Sequence, residues 1–548
     1  MLCAVVTGCL VLALAAAAKG QEPTAPLPAF QTDPALPDDI VLNAEQGLGQ
    51  CHWLSSKIMA EPIVAWAYEA TESASGWASL EPQPGSFHWD ALDAKIAQAR
   101  SQGKRIWIQL LTTEGLTPQW ARDAGVALVG SRGGTPVPWN ETYQRLLRKA
   151  VHAMAARYDD DPTVDAVNVM AGGCYGEMTI CAARTDESAW EQAGYTDDKF
   201  IEAVKQIVDI YLEESYVWED GTQSHGFLKT PVVLQLGSGL YGHTTIVIPP
   251  VVSYAVPTYG MRVWLKYNGW GGGFDMGWLY RQYEADTRVG YEPAGNNADF
   301  LSNPKKYVLA AIEQHASYIC LQASYHENPD RQWQDARELA ARHLGAQIVS
   351  LGVTAPDVVQ AGQAYAFTTV WENRGTVPLM RPRREGVKDV PASYEVLISF
   401  VDAANNQAVF EYTYPPSVPT TQWFSAQTVT LESLVPVPDS VPSGEYDLRI
   451  ALVNPIVPSQ HDARYFRLLN TSLHDGSGRY TVGRVRVVNT LLPSPTAVAT
   501  ASPTPAAAST PTHTPTPALP GPGGPGAWLS RFLRAIGDLV GRVLQVFQ

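Results

Sequence analysis

Eight short runs of apolar, β-prone residues, each separated from the next by other sequence, constrain this chain more than any other feature. They are Gly47 to Trp53, Ile63 to Ala67, Arg105 to Leu111, Val164 to Met170, Val232 to Leu236, Arg262 to Tyr267, Thr287 to Tyr291 and Ser317 to Ala323. Such runs suit strands that are covered on both faces, as in a parallel sheet lined with helices. The segments between them include Trp89 to Gln102, Asn140 to Tyr158 and Asp197 to Tyr216, where apolar residues recur at helical spacing. An eightfold alternation over about 300 residues has the size and order of an α/β fold of the (β/α)8 or TIM barrel type. A doubly wound open sheet shares the alternation, but no glycine-rich dinucleotide turn follows the first run.

The rest of the chain divides by composition. A sequence of 548 residues is too long for one core. We assign residues 40–345 to the barrel and residues 346–490 to an all-β sandwich, because the latter stretch holds only short alternating strands between Pro, Gly, Asn and Asp. Those strands are Ala364 to Glu372, Tyr394 to Val401, Gln407 to Tyr414, Thr428 to Leu434, Gly444 to Leu452 and Gly478 to Val488. Sugar binding, cleft completion and a plain spacer role all remain open for it. Residues 491–526 are dominated by Pro, Thr, Ala, Ser and Gly and are expected to form an extended linker. Beyond it, residues 527–548 place Trp528, Phe532, Leu533, Ile536 and Leu539 on one helical face, with Arg531, Arg534 and Asp538 opposite. That amphipathic helix is expected to meet a membrane surface, a partner, a second copy or its own domains.

At the other end, Leu2 to Ala18 is apolar and closes on Ala16-Ala17-Ala18, so residues 1–20 read as a signal peptide and the protein as secreted or held at the cell surface. Cys51, Cys174, Cys181 and Cys320 remain after it; Cys174 and Cys181 could bridge a loop or stay free. The formal net charge of −15, with no long Lys/Arg run, excludes binding along nucleic-acid phosphates. The 11 histidines are scattered without an HExxH, so neither a metal nor another cofactor is expected.

In a parallel barrel, side chains just past the C-terminal strand ends share one mouth. Glu177 follows the fourth run and Glu292 the seventh, across the mouth from each other, where two carboxyl groups can flank one glycosidic bond. Trp66, Trp107, Tyr175, Tyr241, Trp264, Tyr267, Trp270 and Tyr325 are candidate platforms for sugar rings. Lys266, Asn268, His326 and Glu327 are candidate hydroxyl contacts, and Tyr291 stands beside Glu292 where it could orient the carboxylate.

The stretch Gly76 to Asp93, GWASLEPQPGSFHWDALD, resembles the W-x-x-L-E-P-x-x-G-x-F-x-W-D-x-L-D signature after the second strand of beta-galactosidase-like barrels, notably glycoside hydrolase family 42 and its relatives. Gln98 to Thr113 and the turn Thr117-Pro118-Gln119-Trp120 resemble the third strand of the same families. The barrel with a sandwich ending Gly478 to Gly483 is also similar to an uncharacterised family of bacterial surface proteins with both parts. The resemblance implies retaining hydrolysis of a β-linked sugar, with Glu177 as acid/base, Glu292 as nucleophile and an oligo- or polysaccharide as substrate. Glu81, inside the signature, is expected to fix a loop. Such families place Asn directly before the acid/base residue, and here Gly176 stands there. The alternative is therefore a surface protein whose barrel binds carbohydrate without cleaving it.

Overall fold

The first and last strands of a parallel sheet can pair only if the sheet curls through a full turn, and here they do. The computed structural model describes residues 47–51 and 66–489, except 114, 131–133, 160, 162, 174–175, 181–186, 238, 241, 271–275, 285, 294–297, 323–327, 380–392 and 456–464. Eight strands form the ring: β1 (Gly47–Cys51), β2 (Trp66–Tyr68), β3 (Arg105–Gln109), β4 (Val164–Asn168), β5 (Val232–Leu236), β6 (Val263–Trp270), β7 (Val289–Pro293) and β8 (Tyr318–Gln322). Each pairs in parallel with the next, and β1 closes on β8 with Gly49 opposite Cys320. All eight expected runs hold a strand of the ring. The second reaches one residue past the expected run, so Tyr68 belongs to the strand.

Alternation along the strands sorts the side chains into two clusters. Ile106, Ile108, Val167, Leu234, Leu265 and Ile319 join the core shared with the helices. Trp66, Tyr68, Trp107, Ala166, Val233, Trp264, Tyr318 and Cys320 fill the ring. Gly290 belongs to this inner set because a Cβ there would lie 2.2 Å from the Tyr318 ring. Cys320 is disulfide-bonded. Cys174 and Cys181 lie outside the described residues.

Among the described residues one longer helix follows each of β2 to β8, beside shorter helical turns: α1 (Asp90–Ser101), α2 (Glu141–Tyr158), α3 (Asp197–Leu212), α4 (Thr244–Tyr259), α5 (Gly277–Tyr283), α6 (Pro304–Glu313) and α7 (Arg331–His343). The start of α2 is set by Asn140, whose Oδ1 accepts from the Tyr143 amide at 2.8 Å. Replacing Asn140 with Ala is expected to cost about 1 kcal/mol, seen as a lower urea midpoint at unchanged slope. No helix among the described residues is long and apolar enough to cross a membrane.

After α7 the described residues form strands, with short 3-10 turns at Thr420–Gln422 and Thr471–Leu473: β9 (Ile348–Thr354), β10 (Val358–Gln360), β11 (Ala364–Asn373), β12 (Glu395–Asp402), β13 (Gln407–Tyr414), β14 (Thr428–Pro436), β15 (Gly444–Val453), β16 (Tyr465–Phe466) and β17 (Tyr480–Val488). One sheet runs β9-β11-β14; the other runs β10-β17-β15-β12-β13, with β16 on β15. Side chains of both, among them Phe367, Trp371, Ile398, Phe400, Leu431 and Ile450, share one core. Thr376 ties this part to the barrel: its hydroxyl donates to the Ala316 carbonyl at 2.5 Å and accepts from the Gly345 amide at 3.0 Å. Asn373 beside it uses its whole amide, accepting from Gln347 and Gly375 and donating to the carbonyls of Val377 and Trp423.

By contacts the chain divides into Met1–Leu492 and Pro493–Gln548. The expected signal peptide, linker and C-terminal helix all lie outside the described residues.

Candidate active site

The inner face of the ring changes character toward the C-terminal strand ends. Below lies an aromatic floor: the Trp66 and Trp107 rings stack at 3.8 Å, and Tyr318 and Trp264 pack against Trp107. Trp66 and Trp107 are fully buried, and the Trp107 indole nitrogen donates to Asp165 at 2.9 Å. Their faces are covered by protein, so the platform role expected of Trp66, Trp107 and Trp264 gives way to a packing role. Above the floor, inward positions carry Tyr68, Gln109, Asn168, Gln235, Lys266, Asn268 and Glu292, which form a polar layer.

Glu177 reaches this layer by a detour. After β4 the chain runs through Ala171, Gly172 and Gly173, then rejoins the sheet: the Met178 amide donates to the Gln235 carbonyl at 2.8 Å, and Ile180 to Gly239 at 2.9 Å. Residues 177–180 thus extend the ring alongside the end of β5, and Glu177 arrives half-buried beside Asn268. The Asn268 amide nitrogen donates to Glu177 Oε1 at 3.0 Å and lies 3.3 Å from Gln235 Oε1. Asn268 is also the register partner of Glu292 on β7. Paired strands are about 4.8 Å apart, so the main chain of Glu292 runs beside the asparagine that holds Glu177.

Glu292 is 3% exposed and receives the Lys266 ammonium at 2.5 Å. Lys266 is fully buried, with Nζ 4.7 Å from the centre of the Tyr68 ring. The Tyr68 hydroxyl donates to the Gln109 side-chain carbonyl. Burial pushes this phenol well above its ordinary range, and the negative charges of Glu292, Glu177 and Glu69 add to the effect against a hydrogen bond with Gln235. Tyr68 therefore feels both candidate carboxylates.

Gly176 has φ +89°, and a Cβ would lie 2.7 Å from Gln235 Nε2 and 2.9 Å from Met170 Sδ. The asparagine that the resemblance calls for cannot stand at this position without displacing the layer. Gly176→Asn is thus expected to lower thermal stability, and to reduce rather than improve any turnover measured beside it.

The other expected contacts divide. Tyr267 is buried in the layer between strands and helices, yet its phenol is pushed up by burial and then by the Glu177 charge. Tyr291 is fully buried in the same outer layer, packs on Tyr280 and donates to Gln314. Strand alternation turns it away from the Glu292 carboxylate, so it does not orient that group. Tyr175, Tyr241, Tyr325, His326 and Glu327 lie outside the described residues, as does the side chain of Trp270. Tyr68, Gln109 and Gln235 were not singled out from sequence; the available signal was the parity of inward positions along each strand.

The signature stretch serves the scaffold. Glu81 accepts from the Trp77 indole and the Gly85 amide, both at 2.8 Å, while its own carbonyl accepts from the Trp120 indole. Burial raises its carboxyl above the ordinary range against those two hydrogen bonds. Asp93 at the end of the signature accepts from Arg157 and Tyr158 on α2. Among the described residues, no group of three or more His, Cys, Asp or Glu could hold a metal ion.

Residues 57–204 match the family model for the beta-galactosidases of glycoside hydrolase family 42. No curated protein sequence matches the chain. Solved structures similar to it include the beta-galactosidase of psychrophilic Marinomonas ef1, at 15% identity and TM-score 0.34, covering 54% of this chain and 59% of that one. The polyextremophilic beta-galactosidase of Halorubrum lacusprofundi aligns at 15% identity and TM-score 0.35, over 57% of this chain and 60% of its own. The catalytic domain of the Paenibacillus polymyxa beta-amylase aligns at 9% identity and TM-score 0.37, over 54% of this chain and 98% of its own. This chain spans about three fifths of the length of the two galactosidases. Over residues 57–204, about a quarter of the chain, the barrel is similar to the beta-galactosidases of glycoside hydrolase family 42.

Proposed function

We propose that the barrel is a retaining glycosidase acting on a β-linked sugar of the galactoside type, with Glu177 as acid/base and Glu292 as nucleophile. The observation that carries this reading is Asn268, in register with Glu292 and hydrogen-bonded to Glu177. Retention needs the two carboxyl groups about 5 to 5.5 Å apart, closer than the gap that admits a water molecule, and a common neighbour in Asn268 supports that reading. Glu177 would give its proton to the glycosidic oxygen as that bond breaks, while Glu292 bonds to the anomeric carbon. Water then gives a proton back to Glu177 and its oxygen to the anomeric carbon, which releases Glu292. Asn268 gives Glu177 an amide contact that the glycine at 176 cannot, and the Glu177 charge reaches the Tyr267 phenol. Proton NMR of the first-formed sugar from an aryl β-galactoside tests the proposal: a β-anomer supports retention, and an α-anomer rejects it.

Within the same reading, residues 346–490 form a sandwich behind the barrel, and the protein is secreted or surface-held, with its C-terminal helix against a membrane or partner. The disulfide at Cys320 supports an oxidising compartment. The second reading, a barrel that binds carbohydrate without hydrolysis, draws on Gly176 in place of asparagine. It requires that sugars bind with no product released.

A further inference from the structure

The polar layer contains a buried cation that the two-carboxylate scheme leaves unused. Lys266 shows no exposure, and its ammonium lies 2.5 Å from Glu292 Oε2. The ionisable groups around the pair come from several strands: Glu292 from β7, Tyr68 from β2, Glu69 just past β2, Glu177 after β4 and Tyr318 from β8. The register neighbours of Lys266 are Gln235 on β5 and Gly290 on β7, and neither brings a charge.

We propose that Lys266 is a positioning residue, holding the Glu292 carboxyl ionised and fixed in direction so that it can act as nucleophile. The inference rests on the glycosidase reading above. A carboxyl group as deeply buried as Glu292 is driven toward its neutral form, which has no nucleophilic oxygen, unless a cation stands against it. Buried ion pairs contribute little net stability compared with apolar residues of the same volume. The effect that remains for Lys266 is on the charge and direction of its partner. Tyr68 lies against the ammonium with its ring face, where the ring's negative potential favours the cation.

The test combines ¹³C NMR titration of the Glu292 carboxyl, assigned through Glu292→Gln, with pH profiles of kcat/KM on an aryl β-galactoside. Lys266→Met is expected to raise the carboxyl midpoint by about two units and to move the acid limb of kcat/KM by the same amount. Turnover should fall about tenfold or more with KM changed less than about threefold, and Lys266→Arg should restore part of it. Lys266→Gln, which keeps a donor without the charge, serves if the methionine variant does not fold. An unchanged midpoint in a folded, uncharged variant overturns the proposal. A shifted midpoint with no turnover in the wild type instead supports the coupling and rejects the glycosidase reading, so the two failures are distinguishable.

Discussion

Glu292→Gln protein is expected to release aryl glycoside product on the order of 10⁴-fold more slowly than the wild type, or slower, because the amide cannot form the glycosyl ester. Glu177→Gln is expected to behave differently. Loss of a general acid costs about 10² to 10⁴-fold when the departing alcohol needs a proton. It should cost far less in the first step for a nitrophenyl leaving group, which departs unassisted. Comparing nitrophenyl and alkyl galactosides across the two variants therefore assigns the roles separately. Turnover unaffected by both substitutions would eliminate the mechanism. Binding of galactosides without turnover in the wild type would establish the non-hydrolytic alternative.

The second large effect concerns the floor of the ring. Trp107→Ala removes a fully buried indole, its stack with Trp66 and its bond to Asp165. A loss of about 3 to 5 kcal/mol is expected from the truncation, read as a reduced urea midpoint by circular dichroism. An aromatic platform that contacts only sugar would behave in the opposite way, with weakened binding and unaltered unfolding. The measurement thus separates packing from recognition for a residue whose position near a strand end suggested recognition.

That residue marks how much of the barrel was legible in the sequence. Strands buried on both faces give apolar runs, and all eight ring strands lay within or against such runs. The helix at Thr244–Tyr259 was not named, because TTIVIPPVVSYAVPTY combines β-branched residues with Pro249, Pro250 and Pro257. Local propensity opposes a helix there. Its buried residues Val247, Ile248, Val251, Val252, Ala255 and Val256 nevertheless follow helical spacing, and burial of that face outweighs propensity. In the site, strand-end position pointed to Glu177, Glu292 and Asn268; the Asn268 amide bonds Glu177, and Asn268 pairs in register with Glu292. It could not distinguish Tyr291 from Glu292 by facing, since one residue of register decides which side chain looks inward. Tyr68 was passed over because the expected run stopped one residue short of it.

Thr376 and Asn373, at the seam between the ring and the sheets, bear on how this protein can be taken apart. The Thr376 hydroxyl serves a carbonyl next to the last barrel strand, and Asn373 spends its entire amide on main-chain groups within the joint. A polypeptide cut between α7 and β9 would deprive the Ala316 carbonyl of its Thr376 partner. Any shuffling of this module among genomes should therefore carry ring and sheets together as a single inherited cassette.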